Sequence, residues 1–420
     1  MGKQLGNTVL KILVLDEELP YPTNTGKRTR SFNLYRRLGA TFRLRYVGYG
    51  ESDSEAAKVL RAEGIEPILV SRRMPPKQGP AFYLSLLTNL LSPHPYIVTS
   101  HYSKSYQDVV LASLAEFQPD LVLCEWTPYA IYVKKLLAVK KLVSAHNVEA
   151  DIWQRYYENE TNPFRRWYIW EQWRKVQLFE RSALTWVDGA TAVSDLDRIS
   201  LAKNHPQLRI AVIPNGVDLE YFRPLPLPTQ AHHLVFTGSM DWRPNQDAAR
   251  YFIREILPIL KQVRPDLECT FVGRNPPADI QNLGETPGVH ITGTVEDVRP
   301  YVERASVYVV PLRIGGGSRL KILEALAMGR AVVSTIVGAE GLDVVHDQHV
   351  MLADDPTSFA QAVLQLLSNS KRCQELATEG RRLVEQRYGW DALAERFTNY
   401  VDDVVQGNGA GYSLREKVPG

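Results

Sequence analysis

Short apolar runs alternate along the chain with longer segments of helical period, and the alternation halts once and restarts. In the first half, LKILVL (10–15), RLRYVGY (43–49), DLVLCE (120–125), KLVSA (141–145), GATAVS (189–194) and RIAVIP (209–214) predict strands. The spacing between them predicts helices near 28–38, 53–63, 105–116, 128–138 and 163–184. PNGVDLEYFRPLPLPTQ (214–230) has four prolines and an Asn-Gly turn and reads as a linker. The pattern then resumes with HLVFTG (233–238), LECTFVG (267–273), VHITG (289–293), SVYVVP (306–311), AVVST (331–335) and VMLAD (350–354). Its helices fall near 244–260, 297–304, 319–328 and 356–368, followed by two more near 371–386 and 389–405.

Strands that alternate with helices predict parallel sheets. The expected fold is α/β, with two Rossmann-like, doubly wound domains facing a central cleft and C-terminal helices returning to the first domain. The expected boundaries are 1–213, a linker at 214–231, 232–386, a returning helix at 387–406 and a polar, glycine-rich tail at 407–420. In open sheets of this kind ligands bind beyond the carboxyl ends of the strands.

Composition narrows the picture. A chain of 420 residues exceeds one ordinary core and suits two domains of about 200 residues. A net charge of +2 argues against a nucleic-acid partner. Cys124, Cys269 and Cys373 form no CxxC pair and read as structural thiols in a reducing compartment, not as a zinc site. VLKILVL is interrupted by Lys11 and runs into Asp16, Glu17 and Glu18, unlike a signal peptide. No apolar stretch approaches the roughly 18 residues of a membrane span. A cytoplasmic protein is expected, either soluble or peripheral at the inner face of the membrane.

Candidate chemistry concentrates at VVPLRIGGGSRLKILEALAMGRAVVST (309–335). The glycine-rich turn is neither a Walker loop nor a dinucleotide fingerprint, since Leu320 stands where a third glycine is required. It still leads from a strand into a helix, and helix amino termini attract anions. Arg319 and Lys321 oppose the helix dipole there, a conflict that a bound diphosphate would resolve. Glu324 lies on a helix that is apolar almost all round and must find donors, either ribose hydroxyls or a nearby arginine. Gly329 reads as the helix C-cap.

GGGSRLKILEALAMGRAVVST resembles the donor-binding segment of GT-B retaining glycosyltransferases of the family 4 type. Gly26, HNVE (146–149), PNGVD (214–218), FTGSMDWRPN (236–245), FVGR (271–274) and YGWDALAERF (388–397) extend the resemblance over most of the chain. It implies catalytic or near-catalytic roles for His146, Arg319, Lys321 and Glu324, with Glu324 on the nucleotide ribose. Two departures accompany it. Gly316 occupies the position of the family's first carboxylate, which leaves the backbone of Gly316, Gly317 and Ser318 to meet the sugar. The loop after Gly238 lacks the family's Arg–Lys pair and offers Ser239 and Arg243 instead. Gly273, Arg274, Thr294 and Val295 resemble the lining of the base pocket.

On the first-domain side the resemblance implies acceptor or phosphate contacts from Gly26, Lys27 and Arg28. Glu125 ends a strand at the ligand edge and is a candidate acceptor contact. Glu149 either orients His146 or caps the next helix. FRRWYIWEQWRK (164–175) presents Trp167, Ile169, Trp170 and Trp173 beside Arg165, Arg166, Arg174 and Lys175, which suits either an anionic membrane surface or internal packing. VKKLLAVKK (133–141) adds positive charge to the same half.

The implied reaction moves a sugar from a nucleoside-diphosphate sugar to a saccharide or lipid-linked acceptor, with retention of configuration and no cofactor. No DxD-like motif stands in a fitting place, so no metal is expected. A sugar-nucleotide epimerase or phosphorylase and a non-catalytic sugar-nucleotide-binding protein remain alternatives.

Overall fold

The computed structural model describes residues 9–71, 78–314 and 319–407. The described residues divide into two compact units, one running up to Pro214 and resuming from Ala394, the other spanning Asn215–Leu393.

The first unit is built on seven parallel strands: β1 (Lys11–Glu18), β2 (Arg43–Tyr49), β3 (Ile65–Val70), β4 (Leu121–Cys124), β5 (Lys140–Ser144), β6 (Gly189–Ala192) and β7 (Arg209–Val212). Their order is β3-β2-β1-β4-β5-β6-β7. β1 lies near the centre, with Ile12 opposite Leu121 on one side and Leu44 opposite Ile65 in the next pair out. Ile12, Leu13, Val14 and Leu15 are all buried, as a central parallel strand covered on both faces requires. The order reverses direction between β1 and β4, and the carboxyl ends of these two strands carry the polar cluster described below.

β3 was not predicted. Glu66 and Pro67 break its apolar run, and an edge strand tolerates both because β3 pairs only with β2. The expected helix at 128–138 is instead a short 3-10 turn, Thr127–Tyr132, followed by irregular chain. Helices at Pro80–Asn89, Glu149–Asn159 and Asp195–Ala202 were also unread. From Ala394 onward the last helix packs in this unit, where Phe397, Tyr400 and Val404 join the core around Ile12 and Tyr46. The Tyr400 hydroxyl donates to the carbonyls of Ala190 and Arg209.

The second unit has six parallel strands: β8 (His233–Thr237), β9 (Glu268–Val272), β10 (Val289–Ile291), β11 (Val307–Val310), β12 (Val332–Ser334) and β13 (Met351–Leu352). The order is β10-β9-β8-β11-β12-β13, again with a switch point, between β8 and β11. After β8 the chain enters the helix Arg243–Tyr251, which widens into a π turn, Phe252–Ile256, just before Pro258. A proline cannot donate to the turn behind it, which accounts for the local change of pitch. Residues 215–230 carry no helix or strand and lie in this unit, where the Leu225 amide donates to Glu303.

The helix Pro163–Leu184 has its predicted bounds, with Asn162 capping it and proline at its first turn. Phe164, Trp167 and Trp170 are exposed on it. Lys175 does not face outward as expected. It is buried, and its Nζ donates to the carbonyls of Asn89 and Leu90, because aliphatic stem and amine both fit under the helix Pro80–Asn89. Arg174 pairs with Glu171, and Trp173 stacks on Tyr157. No described helix is long and apolar enough to cross a membrane.

Candidate active site

In the first unit, charged side chains gather where β1, β4 and β5 end. β4 leads into Glu125, which is fully buried. Its carboxylate accepts from Ser31 Oγ at 2.7 Å, from the Tyr35 hydroxyl, and stands 3.0 Å from His146 Nε2, just beyond β5. Ser31 and Tyr35 lie four residues apart on the helix Gly26–Leu38 and so share the face turned to Glu125. Burial alone would raise the Glu125 carboxyl. His146, Tyr35 and Arg30 outweigh burial and hold it down at about 2. An ionised carboxylate has only acceptors, so it selects the His146 tautomer with hydrogen on Nε2. Glu125 was expected to touch an acceptor. Both its oxygens are engaged and shielded from solvent, so its place is behind His146, as the group that orients it.

A second set surrounds Asp16. Its carboxylate accepts from Lys27 Nζ at 2.6 Å and from the Tyr46 hydroxyl at 2.6 Å. Burial raises it to about 6 despite Lys27. Glu17 accepts from Lys27 at 2.8 Å and faces His101 Nε2 at 3.3 Å. Burial opposes its ionisation, but His101 and Lys27 hold it at about 2. Lys27 lies 5.4 Å from the ring centroid of Trp126, and His101 meets the same ring edge-on. Trp126 Nε1 donates to Glu149, whose own amide is capped by Glu180. Glu149 therefore sits in the first turn of its helix and holds Trp126; no hydrogen bond joins it to His146 among the described residues. Gly26 begins the helix Gly26–Leu38, capped by Thr25. Arg28 pairs with Glu18 and Asn24. The cations expected to reach a ligand, Lys27 and Arg28, thus carry carboxylate partners of their own. Asp16, Ser31, Tyr35, Tyr46 and His101 were missed by the sequence reading.

In the second unit, the helix Leu320–Ala327 starts without a side-chain cap and without an acid in its first turn. Lys321 Nζ donates to Asn245 Oδ1 at 2.7 Å and lies 4.2 Å from the Phe236 ring centroid. It has no carboxylate within ion-pair distance among the described residues. Burial, and then the charge of Arg319, lower it to about 7 against the pull of Glu324. Glu324, one turn on, is raised to about 7 by burial and accepts no hydrogen bond among the described residues. Arg319 is buried and lies 3.3 Å from Glu340.

Two glycines make this packing possible. A Cβ at Gly238 would lie 2.7 Å from Lys321 Nζ and 2.8 Å from Asn245 Nδ2. One at Gly273 would lie 1.8 Å from the Gly238 carbonyl oxygen. Asn245, which the sequence reading passed over, ties the arrangement together, since its Nδ2 also donates to the Ser239 carbonyl at 2.8 Å. Ser239 further accepts from Arg274 Nε at 2.8 Å and donates to Asp241 at 2.6 Å. Arg243 is exposed at the start of its helix, Thr294 is exposed, and Val295 packs against the core. Gly316, Gly317 and Ser318 lie outside the described residues. A half-buried lysine, an uncapped helix start and an unbonded carboxylate one turn apart suit a ligand with an anion at one end and hydroxyls at the other.

Residues 54–221 match the family described as Glycosyltransferase Family 4, and residues 231–369 match Glycosyl transferases group 1. The chain is 21% identical over 393 residues to an uncharacterized 44.6 kDa protein of the cps region of Klebsiella pneumoniae, covering 90% of this chain and 96% of that one. It is 27% identical over 214 residues to the phosphatidyl-myo-inositol mannosyltransferase of Mycolicibacterium smegmatis, covering 48% of this chain and about half, 53%, of that relative. The sucrose-phosphate synthase structure from Thermosynechococcus elongatus superposes with a TM-score of 0.66 at 16% identity, over 95% of this chain and 100% of that one. HepE from Anabaena, solved with UDP, gives a TM-score of 0.65 at 12% identity, over 94% of this chain and 100% of that one.

Proposed function

The chain belongs to the GT-B glycosyltransferases of the family 4 and group 1 type, and from that premise we propose that it transfers a hexosyl group from a nucleoside-diphosphate sugar to a saccharide or lipid-linked acceptor, retaining the anomeric configuration without a metal. The observation that carries this reading is Lys321, a half-buried lysine whose amine has no carboxylate within ion-pair distance among the described residues, at an uncapped helix start. A diphosphate there restores the proton that burial disfavours and gains the helix N–H groups. Arg319 adds a second charge, and Glu324 receives the ribose hydroxyls.

In the proposed step the bond from the anomeric carbon to the diphosphate oxygen breaks. The acceptor hydroxyl oxygen bonds to the same carbon from the same face, and its proton passes to the departing diphosphate. No protein nucleophile takes part. The protein lowers the barrier by stabilising the departing anion through groups fixed before reaction and by positioning. His146, whose Nε2–H is held by Glu125, accepts from a sugar hydroxyl at Nδ1.

Product analysis with UDP-, GDP-, ADP- and dTDP-sugars tests the reading. Mannosyl donors belong in the panel because phosphatidyl-myo-inositol mannosyltransferases are among the relatives. Transfer with an α-linked product from an α-linked donor, undiminished by EDTA, is expected. Epimerised donor, free sugar phosphate, or binding without turnover across acceptors overturns it.

A further inference from the structure

The first unit holds a cavity of about 650 Å³ that none of the preceding chemistry uses. Its size falls in the range of about 300–1,000 Å³ typical of small-molecule sites. Val98, Leu111, Ile131, Tyr132 and Leu136 make it largely apolar, and Lys134 and Lys135 add positive charge to its lining. Tyr132 stacks on Tyr102, and its hydroxyl bonds to the backbone at His101 and Ser103. That wall is therefore built by the same segment whose His101 imidazole faces Glu17. Leu111 is 48% exposed and Tyr102 43% exposed, so apolar surface is left open toward solvent.

The two lysines decide what the cavity can take. Both are exposed, and neither has a carboxylate partner among the described residues. Lys140, close by in sequence, pairs with Asp188, and Lys141 donates to a backbone carbonyl. Lys134 is held 4.9 Å from the Trp186 ring centroid, which orients its charge without neutralising it. An apolar chamber with fixed positive charge in its lining is complementary to one kind of molecule. We propose that this cavity binds an amphiphile that places a single alkyl or prenyl chain among Val98, Leu111, Ile131 and Leu136 and an anionic head on Lys134 and Lys135. The sequence VKKLLAVKK, which the donor chemistry leaves unexplained, supplies that head-group site.

The test is calorimetric titration of the full chain with dodecyl phosphate below its micelle concentration. Inorganic phosphate and dodecyltrimethylammonium serve as head-only and opposite-charge probes. One saturable site for dodecyl phosphate is expected, with both control probes weaker by about tenfold or more. The double variant Lys134→Ala/Lys135→Ala, altered only at exposed positions, loses about tenfold in affinity, as expected for a lost charge-assisted contact. Leu111→Glu, which puts an acid on the cavity wall, abolishes binding while circular dichroism stays unchanged. Equal binding of inorganic phosphate, unaltered affinity in Leu111→Glu, or binding only to phosphatidylglycerol vesicles and not to the monomeric amphiphile overturns the proposal. Lys321 does not line the cavity, so loss of sugar transfer would leave this result untouched.

Discussion

Replacing Glu125 by glutamine removes one charge from the cluster behind His146 and nearly preserves its shape. The carboxylate now serves three donors: Ser31, Tyr35 and the Nε2–H of His146. A glutamine oxygen can serve the pair on one side, but its NH₂ then faces a donor on the other. The magnitude follows from the depressed proton affinity. The carboxyl falls from 4.5 to about 2, which at about 1.4 kcal/mol per tenfold change is about 3 kcal/mol of preference for the charged form. Loss of one charge-assisted hydrogen bond, about 1.5–3 kcal/mol, together with one unsatisfied buried donor gives the same order. In a unit of this size the melting midpoint drops by roughly 6–12 °C. The pH dependence has a definite sign. A depressed carboxyl contributes its stability above the unfolded pKa and loses it as pH falls through the folded one. The wild type therefore keeps the contribution at pH 7 and loses it from about 4.5 down to about 2. Differential scanning calorimetry from pH 7 to pH 3 measures both effects. A Glu125→Gln midpoint within about 2 °C of wild type at pH 7, with superimposable acid limbs, refutes the reasoning.

Lys321→Ala is expected to lower kcat/KM by about 10²–10³, comparable to losing one donor to a developing anion, and to abolish the thermal shift given by a nucleoside diphosphate; an unchanged rate or shift removes Lys321 from the site. Gly273→Ala, whose Cβ would meet the Gly238 carbonyl at 1.8 Å, should destabilise more than Gly238→Ala, whose Cβ meets the movable ends of Lys321 and Asn245; urea denaturation ranks the two. Glu180 is raised from 4.5 to about 8 by burial, so the folded state loses stability as pH climbs from the unfolded value toward 8; Glu180→Gln should match wild type most nearly at pH 4 and gain on it progressively up to pH 8, read by denaturant midpoints, and a stability difference that does not change with pH retires the idea. Trp167→Ser/Trp170→Ser should weaken flotation with anionic vesicles if the exposed aromatic face of the helix Pro163–Leu184 meets lipid, and equal flotation of variant and wild type retires that contact.

What could be read from sequence depended on whether a signal was local. The helix Pro163–Leu184 announces itself through Asn162, Pro163 and a long polar–apolar period, and its ends were read correctly. β3 was lost because Glu66 and Pro67 interrupt its period, and only its place at the sheet edge makes them acceptable. The helix Glu149–Asn159 was lost because Trp153, Tyr156 and Tyr157 crowd a short segment with no N-cap side chain. At the site, Lys321 and Glu324 were legible because cations in a first helical turn and an acid on an apolar helix are both costly in isolation. Glu125 stood out as a candidate acceptor contact at a strand end, but its burial and its bonds to Ser31, Tyr35 and His146 did not. Its partners Ser31 and Tyr35 lie 94 and 90 positions away, and no local pattern marks them. His101 and Asn245 were missed for the same reason, since each draws its meaning from a side chain that only the fold brings near.

The second-unit site joins several features that each lower stability in the absence of a ligand. Lys321 is half-buried at the positive end of a helix dipole, Glu324 is half-buried without a hydrogen bond among the described residues, and the helix start has no capping side chain. Lys321 and Glu324 attract one another, yet each remains shifted toward its neutral form, so the pair does not satisfy itself. The loop glycines make the arrangement tighter: Gly238 and Gly273 allow backbone and ammonium to approach where any side chain would keep them apart. A group that is costly alone and close to its neutral form responds most strongly to a ligand, because binding an anion both restores the proton on Lys321 and replaces the missing cap. Nucleoside-diphosphate binding should therefore take up protons near pH 7 to 8, and calorimetric binding enthalpies measured in buffers of different ionisation enthalpy should diverge in that range. Identical enthalpies across buffers would mean that Lys321 is already charged and that the free energy of binding is drawn from elsewhere in the site.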